Sequence, residues 1–273
     1  MQDDTLQLAP TALPLRHVSA TRYVTPLREG GSVPAIVEAD DDGLYVLKFR
    51  GAAQGVKALI AELVAGEIGR ALGLLVPEIV YIDLDPILAR SEAHGEIQDL
   101  IRASAGLNIA LDFLPGALAF DPLASPTPDP ALASAIVWFD AYTTNVDRTA
   151  RNTNMLCWHQ RLWLIDHGAA LYFHHGRSVY PPQGRLPFPS IADHVLLPHA
   201  TDLAAADTAA HERLSPAILA AITSAIPAAW LDTSPDAASI DDQRAAYLDY
   251  LTARLAASHL FVEEATHARA RLV

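Results

Sequence analysis

The front of the chain alternates. Residues 21–27 (TRYVTPL), 33–39 (VPAIVEA) and 44–49 (LYVLKF) read with a period of two, and REGGS (28–32) and DDDG (40–43) separate them. Such runs between glycine-bearing turns predict a three-stranded antiparallel meander. The period then changes. Over 56–74 the apolar residues Leu59, Ile60, Leu63, Val64, Ile68 and Leu72 recur at helical spacing, and Gly73 is a plausible stop. Further strands are expected over 77–85 and 108–116, with helical pieces over 86–104 that break near Gly95.

Prolines mark the next boundary. ALAFDPLASPTPDP (117–130) carries four of them and reads as a linker or long loop. Beyond it the pattern is mostly helical, over 131–143, about 213–230 and about 240–258. A strand and turn interrupt it at 163–173, and a Pro-rich irregular stretch follows at 174–190. The expected class is α+β with two lobes. Residues 1–19 form an N-terminal arm, 20–116 an antiparallel β-sheet lobe with one helix, and 117–273 a mainly helical lobe, with a cleft between the two.

Composition narrows the functions. At 51% hydrophobic residues the chain can bury a sizeable core, and its net charge of −13 argues against nucleic acid or an anionic membrane as the main partner. The single cysteine, Cys157, allows no intramolecular disulfide and fits a reducing compartment. MQDDTLQLAP lacks the basic and apolar regions of a signal peptide, and AILAAITSAIPAAWL is shorter than the roughly 20 residues a spanning helix needs. A cytoplasmic protein without a membrane span is expected.

Four features carry possible chemistry. Lys48 sits inside an apolar strand, where an unpaired ammonium is costly to bury. It is either an edge lysine with its head in water or a phosphate-binding lysine paired with Glu62 or Glu67 of the helix that follows. Helical position alone does not choose between the two glutamates. EGGS (29–32) offers glycine amides to a phosphate or is an ordinary hairpin turn, and no Walker motif is present. Asp147 and Asn152 have the D-x4-N spacing in which an acid orients an acceptor hydroxyl and an amide oxygen binds a metal. Asp166 ends the apolar run LWLI and precedes His167 and the turn residue Gly168, the place of a metal-binding aspartate or of a plain strand terminator. His167, His174, His175, His194 and His199 lack the spacing of a zinc hydrolase. Taken together, glycine turn, lysine, helix glutamate, Asp-x4-Asn and Asp-x-Gly follow the order of a kinase. Arg148 and Arg151 are candidates for acceptor or phosphate contact, or for bracing the loop.

These residues also carry a resemblance. GLNIALDFLPGALAFDPL, WFDAYTTNVDRTARNTNML, WHQRLWLIDHGAALYFHH and AELVAGEIGRALGLLVPEI resemble the HipA-like kinase family in its short single-domain branch. NVDRTARN with IDHG is also similar to the type II phosphatidylinositol 4-kinases. The resemblance implies a two-lobed protein-kinase-like fold that uses ATP and Mg²⁺ to move a γ-phosphoryl group to a hydroxyl, on a protein Ser or Thr or on a small molecule. It implies that Asp147 is the catalytic aspartate, Asn152 and Asp166 the metal ligands, Lys48 the ATP lysine and Glu62 its partner. It further implies that Gly30, Gly31 and Ser32 cover the phosphates, and that Asp112, Phe113 and Leu114 form the hinge that reads adenine. HipA toxins carry an extra N-terminal subdomain for which there is no room before Lys48, so their antitoxin and tRNA-synthetase associations are not expected here.

Overall fold

Alternation decides which way Lys48 faces. The computed structural model describes residues 15–27, 33–52, 55–175 and 184–272. In β2 (Ala35–Ala39) and β3 (Leu44–Lys48), Ala35, Val37, Ala39, Tyr45 and Leu47 are buried on one face. Val46 and Lys48 therefore share the other. The inner residues join Val18, Ala20, Val80, Ile82 and Ala110 in a core of their own.

The antiparallel sheet expected for this lobe is a closed barrel, in the order β1-β2-β3-β5-β4. β1 (His17–Pro26) pairs antiparallel with β2, while its first residues pair parallel with β4 (Ile79–Leu84), from His17 opposite Tyr81 to Ser19 opposite Asp83. β5 (Gly106–Asp112) lies between β3 and β4. β1 manages both neighbours because its register slips twice, between Ala20 and Arg22 and between Tyr23 and Thr25. Irregularities of this kind bend a strand and increase its twist. Closure leaves this sheet no free edge. The helical pieces expected over 86–104 are a short 3₁₀ segment (Pro86–Ser91) and α2 (Gly95–Ala103), whose Ala89 and Ile101 complete the barrel core.

α1 (Gly55–Ala71) lies against the outer face of the barrel. It buries Leu59, Ile60, Leu63, Val64 and Ile68, and also Ala61, Glu62, Ala65, Gly66 and Gly69. A helix buried almost all round is held between two bodies and has little polar face. Gly66 permits this close approach, because a Cβ there would meet Ile79 Cδ1 and force that side-chain end to shift. Gly73, at φ +79°, ends the helix as expected, and Leu74 N donates to Gly69 O at 2.9 Å.

The back half is helical. α3 (Pro130–Thr143) starts where the Asp129 side chain accepts from Leu132 N at 3.0 Å. α4 (Leu203–Arg213), α5 (Pro216–Ser224), α6 (Ile240–Ala256) and α7 (Ser258–Ala270) follow. The helix expected over about 213–230 begins where Ser215 caps α5 and Pro216 opens it, but it ends at Ser224, and a separate 3₁₀ turn, Ala228–Trp230, follows Pro227. A small second sheet joins β6 (Leu118–Ala119), β7 (Met155–Trp158) and β8 (Arg161–Leu164). The β7–β8 turn is His159–Gln160, with both φ values positive, at 47° and 60°. Among the described residues no helix is long and apolar enough to cross a membrane.

Candidate active site

The site grows from three element ends that meet. Lys48 closes β3 on the face that looks toward α1. Its Nζ lies 2.7 Å from Asp166 Oδ1 and 3.8 Å from Glu62 Oε2. Burial disfavours the Lys48 charge, but Glu62 and Asp166 more than offset this and raise its pKa. Burial likewise pushes the Glu62 carboxyl up, yet Lys48 and His167 hold it down at about 2. Lys48, Glu62 and Asp166 line one cleft with Phe49, Ala52, Ala58, Leu59 and Gly168. Glu67 faces elsewhere and sits 3.3 Å from Arg70 Nε.

The β7–β8 hairpin brings the second cluster to the same end. Ile165 N donates to Asn154 O at 3.0 Å, so the chain enters and leaves the hairpin side by side. Asp166 and Asn154 both adopt positive φ, at 56° and 48°. Left-handed backbone in non-glycine residues is a strain that surrounding structure must hold. Upstream of Asn154, Asp147 Oδ2 accepts from Asn152 Nδ2 at 2.7 Å and from Asn154 Nδ2 at 3.3 Å. The Asp147 amide donates to Asn145 Oδ1 at 3.1 Å.

A third group, absent from the sequence reading, braces this loop. Asp140, on the last turn of α3, is fully buried. It accepts from Arg148 Nε at 2.6 Å, Asn145 Nδ2 at 2.8 Å and His194 Nε2 at 2.9 Å. Leu196 N donates to His194 Nδ1 at 3.0 Å, which places the ring proton on Nε2, toward Asp140. Burial pushes the Asp140 carboxyl up, but Arg148 and His194 hold it well below the usual carboxylate range. Arg148 also donates to Asn154 O, and Val195 N to Arg148 O at 3.1 Å. Arg148 is therefore spent on bracing and has no reach to a phosphate, whereas Arg151 is exposed. Asn145 and Asn154 hold the loop from both ends. Arg254 of α6 adds a second brace, donating to Ala141 O at 2.6 Å and Tyr142 O at 2.8 Å, two of the last carbonyls of α3.

The remaining expectations fall unevenly. Asp112 N and Phe113 N donate to Glu78 O at 2.8 Å and Leu44 O at 2.9 Å, so two of the three hinge amides serve the barrel. Leu114 is buried. Gly30, Gly31 and Ser32 lie outside the described residues. No group of three or more His, Cys, Asp or Glu suited to a metal occurs among the described residues. The side-chain oxygens of Asp166 and Asn152 are nevertheless hard donors of the kind a divalent cation takes, and such an ion needs only one or two protein carboxylates when phosphates supply the rest.

A family model described as HipA-like kinase matches residues 21–260. A Helicobacter pylori proinflammatory kinase, CtkA, has a similar solved structure, with TM-score 0.52 and 14% identity over 95% of this chain and 99% of that one. This likeness shows a kinase-like fold. The Golgi casein kinase with Mn/ADP bound aligns at TM-score 0.48 and 13% identity, over 93% of this chain and 74% of that one. No curated protein matches the sequence.

Proposed function

Since the chain belongs to the HipA-like kinase family, we propose that it transfers the γ-phosphoryl group of ATP, with Mg²⁺, to a hydroxyl, in first place on a protein Ser or Thr. The observation that carries this reading is the Lys48 ammonium set between Glu62 and Asp166 in one cleft. A lysine held by two carboxylates gives up one of them to phosphate oxygens without losing its charge or its place. Asp166 and the Asn152 amide oxygen would hold the metal, which when bound neutralises charge on the phosphates. Asn152 and Asn154 fix Asp147 through Oδ2 and leave Oδ1 to receive the proton of an acceptor hydroxyl. The run Asp112–Leu114 would read adenine through its carbonyls and the Leu114 amide. The left-handed backbone at Asn154 is held by Arg148, which Asp140 fixes in turn, and this keeps the loop in place before substrate arrives.

The test is incubation of the protein with a cell lysate and ATP labelled at the γ or the α phosphate. Label from the γ position on protein is the expected result. Label from the γ position only in the lipid or small-molecule fraction moves the acceptor class. Label from the α position on protein makes the enzyme a nucleotidyl transferase. No transfer in any fraction leaves a nucleotide-binding module and overturns the proposal.

A further inference from the structure

Glu62 is held from two sides, and unequally. Lys48 stands 3.8 Å from Oε2, beyond hydrogen-bond reach, and gives its short contact to Asp166. His167 Nδ1 lies 3.3 Å from Oε1, and the His167 backbone N–H serves the same carboxylate. A carboxylate only accepts, so Nδ1 carries a ring proton toward Glu62. Nε2 is buried and has no hydrogen-bond partner among the described residues. The ring is fully buried and meets the Phe139 ring edge-on at 5.6 Å. An imidazole in an apolar wall with one polar atom unmatched is costly, and a phenyl ring would fill similar space without that cost. What histidine adds here is the Nδ1–H directed at Glu62.

We propose that His167 is a positioning residue for nucleotide binding: its side chain fixes Glu62, and through Glu62 the Lys48 ammonium, in the geometry that receives phosphates. This rests on the nucleotide reading above. The same segment ties α1 a second time, because Lys57 Nζ donates to His174 O. With α1 held to the strand end that carries Asp166, Glu62 keeps its place when Lys48 turns from Asp166 to a nucleotide. A Glu62 held by Lys48 alone would lose its orientation at that moment, and binding would bear the cost of ordering it.

The experiment is calorimetric titration of the full chain with Mg-ADP. His167→Phe should raise Kd about ten-fold, the scale expected when a buried charged group loses one hydrogen bond. The number of sites should stay unchanged, whereas loss of folded protein lowers the number of sites and leaves Kd alone. His167→Asn and His167→Leu share the same number of side-chain heavy atoms and the same branched shape, and differ in the N–H donor. Asn should return Kd to within about three-fold of the starting protein, and Leu should match Phe. In a Glu62→Ala background, His167→Phe should add no further loss, since it acts through Glu62. Equal Kd values for the Asn and Leu variants, or additive losses with Glu62→Ala, overturn the proposal. An unmodified protein that binds no Mg-ADP overturns the nucleotide reading itself, and this inference with it.

Discussion

Two clusters of buried charge, one around Asp140 and one around Lys48, are built to different ends. In the Asp140 cluster, the Arg148, Asp140 and His194 side chains are 0%, 0% and 3% exposed, and the Asp140 oxygens are filled by three side chains. In the Lys48 cluster, Lys48 and Asp166 are 11% and 38% exposed, and one contact is short while the other is long. Saturated, dry charges resist rearrangement, because breaking one pair strands its partner. A partly wet cluster with a long contact can exchange one partner for another at small cost. The first holds a shape, and the second is suited to take a ligand.

The largest effect expected of that difference is on activity. Asp166→Ala should lower phosphotransfer by about a thousand-fold or more, on the scale of removing a preorganised charge from a reacting centre. It should also abolish the rise in melting temperature that Mg-ATP gives the unmodified protein. Its own melting temperature without ligand should stay close to the original. A large drop there would mean that the Lys48 cluster holds shape as well.

Asp140→Asn should act the other way, on stability. Breaking a buried pair costs about 3 kcal/mol, read by denaturant titration at neutral pH. The pH dependence gives the sign. The folded Asp140 carboxyl sits below its ordinary value of 3.8. Its contribution is therefore whole above 3.8 and is lost as pH falls through the lower folded value. The acid limb of the stability curve should be shallower in Asp140→Asn. An unchanged limb would show that other carboxylates set acid unfolding.

The smallest effect separates two neighbouring arginines. Arg151→Ala should change stability by less than about 0.5 kcal/mol, as surface substitutions do. Arg148→Ala should cost several times more, because it leaves Asp140 buried without its cation. Equal costs in thermal unfolding would erase the distinction between the braced arginine and the free one.

The sequence made one of these clusters easier to see than the other. Lys48 stood out because an ammonium in an apolar strand asks for a partner; Glu62 lies 3.8 Å away, while the shorter contact, at 2.7 Å, is to Asp166, expected only as a metal ligand. Asp140 carries the same signal in VWFDAY, an acid inside an apolar helix, but the run reads as apolar and its acid as incidental. His194 lies 54 residues from Asp140, a pairing no local pattern reports. The choice between Glu62 and Glu67 was closed to helical periodicity because α1 has hardly any polar face by which to orient it. Family resemblance chose Glu62, the glutamate that faces Lys48. The meander, α1 and α3 were legible from period and caps. Barrel closure was not, since the β1–β4 pairing joins residues more than sixty apart in parallel. α4 and most of α7 escaped because their alanine-rich or charged runs carry little apolar period.

α1 also bears on how this chain can change over time. Most helices offer a solvent side on which substitutions accumulate freely. In α1 nearly every position from Leu59 to Gly69 touches either the barrel or the helical half, and only Glu67 lies outside that buried set. A saturation library should therefore find this segment intolerant in all directions, without the striped tolerance of an amphipathic helix. Variation in the protein would be channelled to its loops and outer helices, while α1 stays nearly fixed.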